Sequence, residues 1–231
     1  MRSCYDHPMN ALPLLVLLAA APSRAAETPA ARLVESVGET KAESGGAGRF
    51  AKTGEALAAG DVVTTGKGAT AVIELTDGSR LKLRESSRLR LEPSAAGSRA
   101  TEVMLLLGGV FARVTKRAAG AEFRVRTPGA VAAVRGTEFF TAYGRARGKA
   151  RDLWVCVREG AVEVGSNAAK ERLSVAAGQG VLIKAEKDLG KPQVYDWTKK
   201  LNWNMDSAKG AIEDKTNLDA AYADLLDQDY R

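Results

Sequence analysis

Histidine is close to absent from this sequence: His7 is the only one in 231 residues, and Cys4 and Cys156 are the only cysteines. The position of the histidine matters as much as its rarity. Residues 11–21 read ALPLLVLLAAA, an apolar run short for a bilayer-spanning helix, with Arg2 before it and Ser23-Arg24-Ala25 after it. That order is the layout of a secretory signal peptide over residues 1–25, cleaved near Ala25; an uncleaved anchor is the alternative. No cysteine follows the run, so a lipoprotein anchor is not expected. Cleavage would remove His7 and Cys4 together. The mature chain would then hold no imidazole and one thiol, which excludes Ser-His-Asp and Cys-His catalysis, histidine-ligated or tetrathiolate zinc, and an internal disulfide. No pair of acidic residues stands out for carboxylate chemistry. The expectation is a non-enzymatic protein without cofactor or metal, periplasmic or secreted, with no transmembrane helix in the mature chain.

What is plentiful is positive charge and short β-like runs. The formal net charge is +6 and the isoelectric point about 9.4, which favours anionic partners. In an exported protein these would be lipid headgroups, cell-wall polymers or acidic proteins, not nucleic acid. Residues 26–32 are rich in Ala, Pro and Thr and read as a linker. From residue 33 to 184, runs of Val, Leu, Ile and Phe recur between glycine-containing turns, the pattern of an all-β domain. Ala71, Ile73 and Leu75 alternate with Val72 and Glu74, and Asp77-Gly78 supplies a turn. Leu81 and Leu83 then alternate with Lys82 and Arg84, and Leu89 and Leu91 with Arg88 and Arg90. A period of two gives strands with one wet face, so Lys82 is expected to point outward. Glycine-then-strand units echo one another: Gly109-Val110-Phe111 with Gly160-Ala161-Val162, and Gly60-Asp61-Val62 with Gly178-Gln179-Gly180. They suit a β-solenoid-like stack or a sandwich of short strands, with a slight preference for the solenoid.

Beyond Pro192 the texture changes. Residues 185–231 read as a small α-helical extension: Asp196 as cap of a helix carrying Trp197 and Leu201, then a second helix with Leu218, Tyr222, Leu225 and Leu226 on one face. Trp197, Trp203 and Met205 fit the place where this extension docks on the β domain. Cys156, inside Leu153-Trp154-Val155-Cys156-Val157, reads as a buried small hydrophobe.

The most distinctive stretch is residues 123–139: a strand through Phe123 and Val125, a break at Thr127-Pro128-Gly129, a second strand through Val131 and Val134, then Arg135-Gly136-Thr137-Glu138-Phe139. A strand ending in Thr-Pro followed by Val-Arg-Gly-Thr-x-Phe resembles the signature of the iron-dicitrate-regulator (FecR) domain family. Gly60-Asp61-Val62-Val63, Leu75-Thr76-Asp77-Gly78-Ser79 and Glu159-Gly160-Ala161-Val162 agree with it, and the resemblance covers residues 33 to 184. It implies an extracytoplasmic β domain used in signalling, and Thr127, Pro128, Arg135, Gly136, Thr137 and Phe139 as motif residues, structural or recognition. In the best-known relatives such a domain follows a transmembrane helix and a cytoplasmic segment that holds a sigma factor. Here the hydrophobic segment lies near the N-terminus, so the resemblance implies a stand-alone periplasmic member rather than a complete regulator.

The function expected is therefore a protein-binding or signalling module acting on an envelope protein. The rival is a binder of anionic envelope polymer through the cationic row Arg80, Lys82, Arg84, Arg88 and Arg90. For Arg135 the expectation is a structural role, stapling carbonyls of its turn or pairing with Glu138.

Overall fold

The computed structural model describes residues 29–93, 100–116, 118, 121–147, 150–167 and 171–218. The predicted signal peptide, and the last predicted helix apart from Leu218, lie outside them. Among the described residues no helix is long and apolar enough to cross a membrane.

The chain is built of short strands: β1 (Ala31–Val37), β2 (Thr40–Ser44), β3 (Ala47–Phe50), β4 (Ala56–Leu57), β5 (Val62–Thr65), β6 (Thr70–Leu75), β7 (Arg80–Leu83) and β8 (Arg88–Leu91). After them come the long β9 (Ala100–Arg113), then β10 (Glu122–Arg126), β11 (Ala130–Val134), β12 (Glu138–Arg147) and β13 (Ala150–Glu159). The last are β14 (Ala161–Ser166), β15 (Arg172–Ala176), β16 (Gly180–Lys184) and β17 (Asp188–Leu189). The first strand begins at Ala31, inside the stretch read as linker.

The strands form two layers. The front sheet runs β4-β1-β6-β7-β9-β12-β13-β16-β17. The back sheet runs β3-β2-β5-β8-β9-β10-β11-β14-β15. Between them lies one core, shared by Leu33, Ile73, Leu83, Phe139 and Val155 of the front and Val63, Leu89, Leu105, Phe123 and Val162 of the back. The chain crosses repeatedly from layer to layer and advances along both, which accounts for its solenoid-like texture. The pairing bears on the architecture: β9–β10 is parallel and the other pairs are antiparallel, so the strands form an open, largely antiparallel sheet and not a stack of parallel rungs. The echoed sequence units do not superpose as repeats, because the two members of each pair lie in different sheets. Three of the four units begin with a turn glycine entering a strand, with positive φ at Gly60 (89°), Gly160 (83°) and Gly178 (80°), whereas Gly109 lies inside β9.

Strand β9 joins the layers. Up to Leu107 it pairs with β8 in the back sheet, and from Gly108 onward with β12 in the front one. At the crossing Gly108 has φ 87°, and Ser87 locks the bend, its Oγ accepting from the Gly109 amide at 2.9 Å.

The C-terminal extension departs from the helical expectation. Residues 193–218, the strap, contain two 3₁₀ turns, Asp196–Lys200 and Ser207–Lys209, in otherwise irregular backbone. Tyr195, not Asp196, occupies the cap position of the first turn, and Asp196 instead pairs with Lys199 at 2.8 Å. Side chains that compete for the backbone explain why no α-helix forms. The Asn202 amide donates to the carbonyls of Ala211 and Glu213, and the Asn204 amide to those of Asp206 and Gly210. The strap lies on the outer face of the front sheet, where Tyr195, Leu201, Met205 and Ile212 close a second core over Val72, Phe111, Phe140, Trp154, Cys156 and Leu182. Docking at Trp197, Trp203 and Met205 is thus observed, by a coil in place of a helix.

Candidate interaction surface

The family-like motif spans β10, β11 and the start of β12, and its residues fall at two separate turns. Strand β11 has five residues, so the turns stand about 16 Å apart. At the first, Thr127 Oγ1 accepts from the Ala130 amide at 3.1 Å, and the Pro128 carbonyl accepts from Asn167 at 2.9 Å. A Cβ on Gly129 would stand 2.3 Å from the Glu186 side chain. Glu186 in turn accepts from the Tyr143 hydroxyl at 2.5 Å, and burial, followed by that hydrogen bond, pushes the phenol pKa up. At the second turn Gly136 has φ 124° and its Cβ would stand 2.9 Å from the Lys116 backbone. Thr137 Oγ1 donates to the Ala161 carbonyl at 3.1 Å, and Phe139 is wholly buried in the main core. Thr127, Pro128, Gly136, Thr137 and Phe139 thus make turn and core contacts within the domain.

Arg135, like Pro128, is exposed. Its expected partner was Glu138, but it pairs with Glu122 at 3.1 Å. Glu138 is held by Arg113 at 2.7 Å and Arg158 at 3.4 Å. Arg135 borders the network on the outer face of the back sheet, where Arg124 pairs with Glu122 at 2.9 Å and Arg126 with Glu102 at 3.1 Å. Hydrogen bonds from Arg124 and then Arg135 hold the Glu122 carboxyl below the usual carboxylate range. A groove of about 430 Å³ lies beside them, floored by Val131 and Ala133 and bounded also by Glu163, Glu171 and Arg172. Its cations and anions nearly balance, so it presents no field of one sign.

The cationic row behaves differently from its sequence pattern. Lys82 is not outward in water: it is fully buried beneath the strap. Its ammonium donates to the carbonyls of Asn202 (2.5 Å), Asn204 (2.8 Å) and Ile212 (3.0 Å). The nitrogen also stands 4.3 Å above the centre of the Phe111 ring. Arg84, also buried, pairs with Asp214 at 2.8 Å and donates to the Thr216 carbonyl at 2.6 Å. The remaining cations face acidic partners: Arg80 with Glu74, Arg88 with Glu43, Arg90 with Glu92. The row is therefore two strap clamps and three ion pairs rather than a free cationic face. Sequence reasoning missed Asp214, Asn202 and Asn204, the strap's half of this arrangement. Two asparagines and an acid amid aromatic residues were the available signal.

Burial pushes the Lys82 pKa down to about 8; Asp214 and Glu138 oppose the shift, while Arg84 and Arg113 add to it. The lowered value sets the sign of a pH effect. Between about 8 and 10.5 the unfolded chain still holds this proton and the folded chain has released it, so this group makes stability rise with pH across that window. A Lys82 ¹³Cε titration by NMR should have its midpoint near pH 8; a midpoint at the ordinary lysine value would contradict the buried-cation account.

The lone described thiol, Cys156, is inert by position: it is buried under the strap and burial raises its pKa to about 12. Among the described residues, no group of three or more His, Cys, Asp or Glu could hold a metal ion.

Fold and surface together define an all-β, two-layer domain closed on one face by its own C-terminal strap. The family model described as FecR protein matches residues 61–163, so over that segment the chain is similar to the FecR family. Two crystal structures, at 1.65 and 2.50 Å, of a "putative anti-sigma factor" from Parabacteroides distasonis are similar to it. Each shows 23% identity and a TM-score of 0.47, and the match spans 57% of this chain and 57% of that one. No curated protein matches the chain.

Proposed function

We propose that this chain is a FecR-domain signalling module that acts without catalysis by binding another protein of the cell envelope, after removal of residues 1–25. The family match over residues 61–163 carries this reading. The absence of histidine after residue 7 supports the non-catalytic part. The rival, an anionic polymer held by cationic strands, loses its basis in the buried clamps of Lys82 and Arg84 and the paired state of Arg80, Arg88 and Arg90.

Crosslinking in intact cells at native expression, followed by affinity purification and mass spectrometry, is the test. One envelope protein should be enriched reproducibly over a mock-tagged control. Recovery of none across replicates would overturn the protein-binding reading.

A further inference from the structure

The strap is held as a ligand is held. Backbone pairing joins it to the front sheet at Gly180–Gln193, near the place where it leaves β17. Farther along, its ties are Lys82 and Arg84 to main-chain carbonyls, Arg84 to Asp214, and Glu35 to the Ser207 amide. Its aromatic side chains stack on a shelf of the sheet: Trp203 edge-on to Phe111 at 5.2 Å, Tyr195 and Trp197 against Trp154 at 4.3 and 5.1 Å. None of these contacts demands covalent continuity with the domain.

The two buried cations strengthen the point. For stability alone, an apolar pair at positions 82 and 84 would serve the sheet as well or better, because desolvating charges is costly. An ammonium that reads three carbonyls from two limbs of the strap, and a guanidinium that reads a carboxylate, instead recognise features of a folded-back peptide. Apart from two short 3₁₀ turns the strap is irregular, and its own asparagines bond several of its carbonyls. Such a segment can open without dismantling a sheet.

We propose that the outer face of the front sheet is a peptide-docking groove filled in cis by the strap. Its partner in trans is a folded-back segment of the same chemistry: an aromatic side chain for the Trp154–Phe111 shelf, converging carbonyls for Lys82, and a carboxylate for Arg84. This rests on the protein-binding reading above and adds the place and the kind of ligand.

The probe is a fluorescent synthetic peptide copying residues 193–218, added to the full chain and to its Asp214→Asn variant, with affinity read by anisotropy. Removing the counter-ion of Arg84 raises the open fraction, and apparent affinity rises in proportion. The variant should bind the peptide about tenfold more tightly than the unaltered chain, and a peptide lacking Trp197, Trp203 and Asp214 should bind neither. Equal affinities for the two chains, or equal binding of the altered peptide, would overturn the groove. Strap-exchanged dimers of the variant without peptide would overturn the assignment to a different partner, since the occupant would then be a second copy. Native-state hydrogen exchange on the unaltered chain serves if the variant does not fold: strap amides must open while β12 and β13 stay protected, and opening only with global unfolding sinks the proposal. No cellular partner enters these measurements, so their failure leaves the crosslinking result standing, and the reverse.

Discussion

Replacing Lys82 by alanine is expected to lower unfolding free energy by about 2–3 kcal/mol, the range for leaving buried acceptors unsatisfied. The side chain satisfies three carbonyls on the strap, those of Asn202, Asn204 and Ile212. Without it these acceptors are stranded beside Phe111, and alanine leaves a cavity where the stem packed. The loss should appear first as an opened strap, with Trp197 and Trp203 entering water. Urea unfolding followed by tryptophan fluorescence measures it. The control is Arg80→Ala, two residues away on the same strand, whose ion pair with Glu74 is partly exposed. It should cost within about 1 kcal/mol, as surface pairs do. Similar small losses for both variants would mean that the strap contributes little to the fold.

Gly108→Ala is expected to be more damaging still, yielding insoluble protein or a loss beyond about 4 kcal/mol. Two independent penalties coincide. The backbone at Gly108 has φ 87°, a region in which side chains are strained, and a Cβ there would stand 2.3 Å from the Ser87 Oγ and 2.5 Å from its Cα. The second distance is to main chain, which cannot swing aside, and Ser87 is itself tied to Gly109. Because β9 passes from one sheet to the other at this point, yielding would pull the layers apart. Gly48→Ala supplies the contrast: it lies on the exposed strand β3 with nothing within 4 Å of its Cβ. That variant should change the unfolding midpoint little. If Gly108→Ala unfolds at the midpoint of Gly48→Ala, the crossing is not a constraint on the fold.

Much of the main domain was legible because its rules are local. Alternation at Leu81, Leu83, Leu89 and Leu91 assigned the inward residues correctly, and all four are buried. Turn glycines marked strand entries, and the Thr127-to-Phe139 pattern pointed to the family that residues 61–163 match. The same alternation misread Lys82. It separates two faces of a strand and says nothing of what later covers the second one. The α-helical reading of Trp197 and Leu201 failed for a related reason: a four-residue spacing is also met by a single 3₁₀ turn laid over an aromatic shelf, and only the contacts of Asn202 and Asn204 distinguish the two.

The sequence by itself determined the alternating strands, the turns between them, the cationic character of β7 and the lack of imidazole beyond residue 7. Those follow from side-chain chemistry and neighbouring backbone geometry. Only the tertiary structure decided that the polar face of β7 is interior, because the carbonyls that receive Lys82 lie 120 to 130 residues later in the chain. A buried ammonium and a solvated one read identically in a sequence. What separates them is whether a distant segment folds back to supply acceptors in place of water.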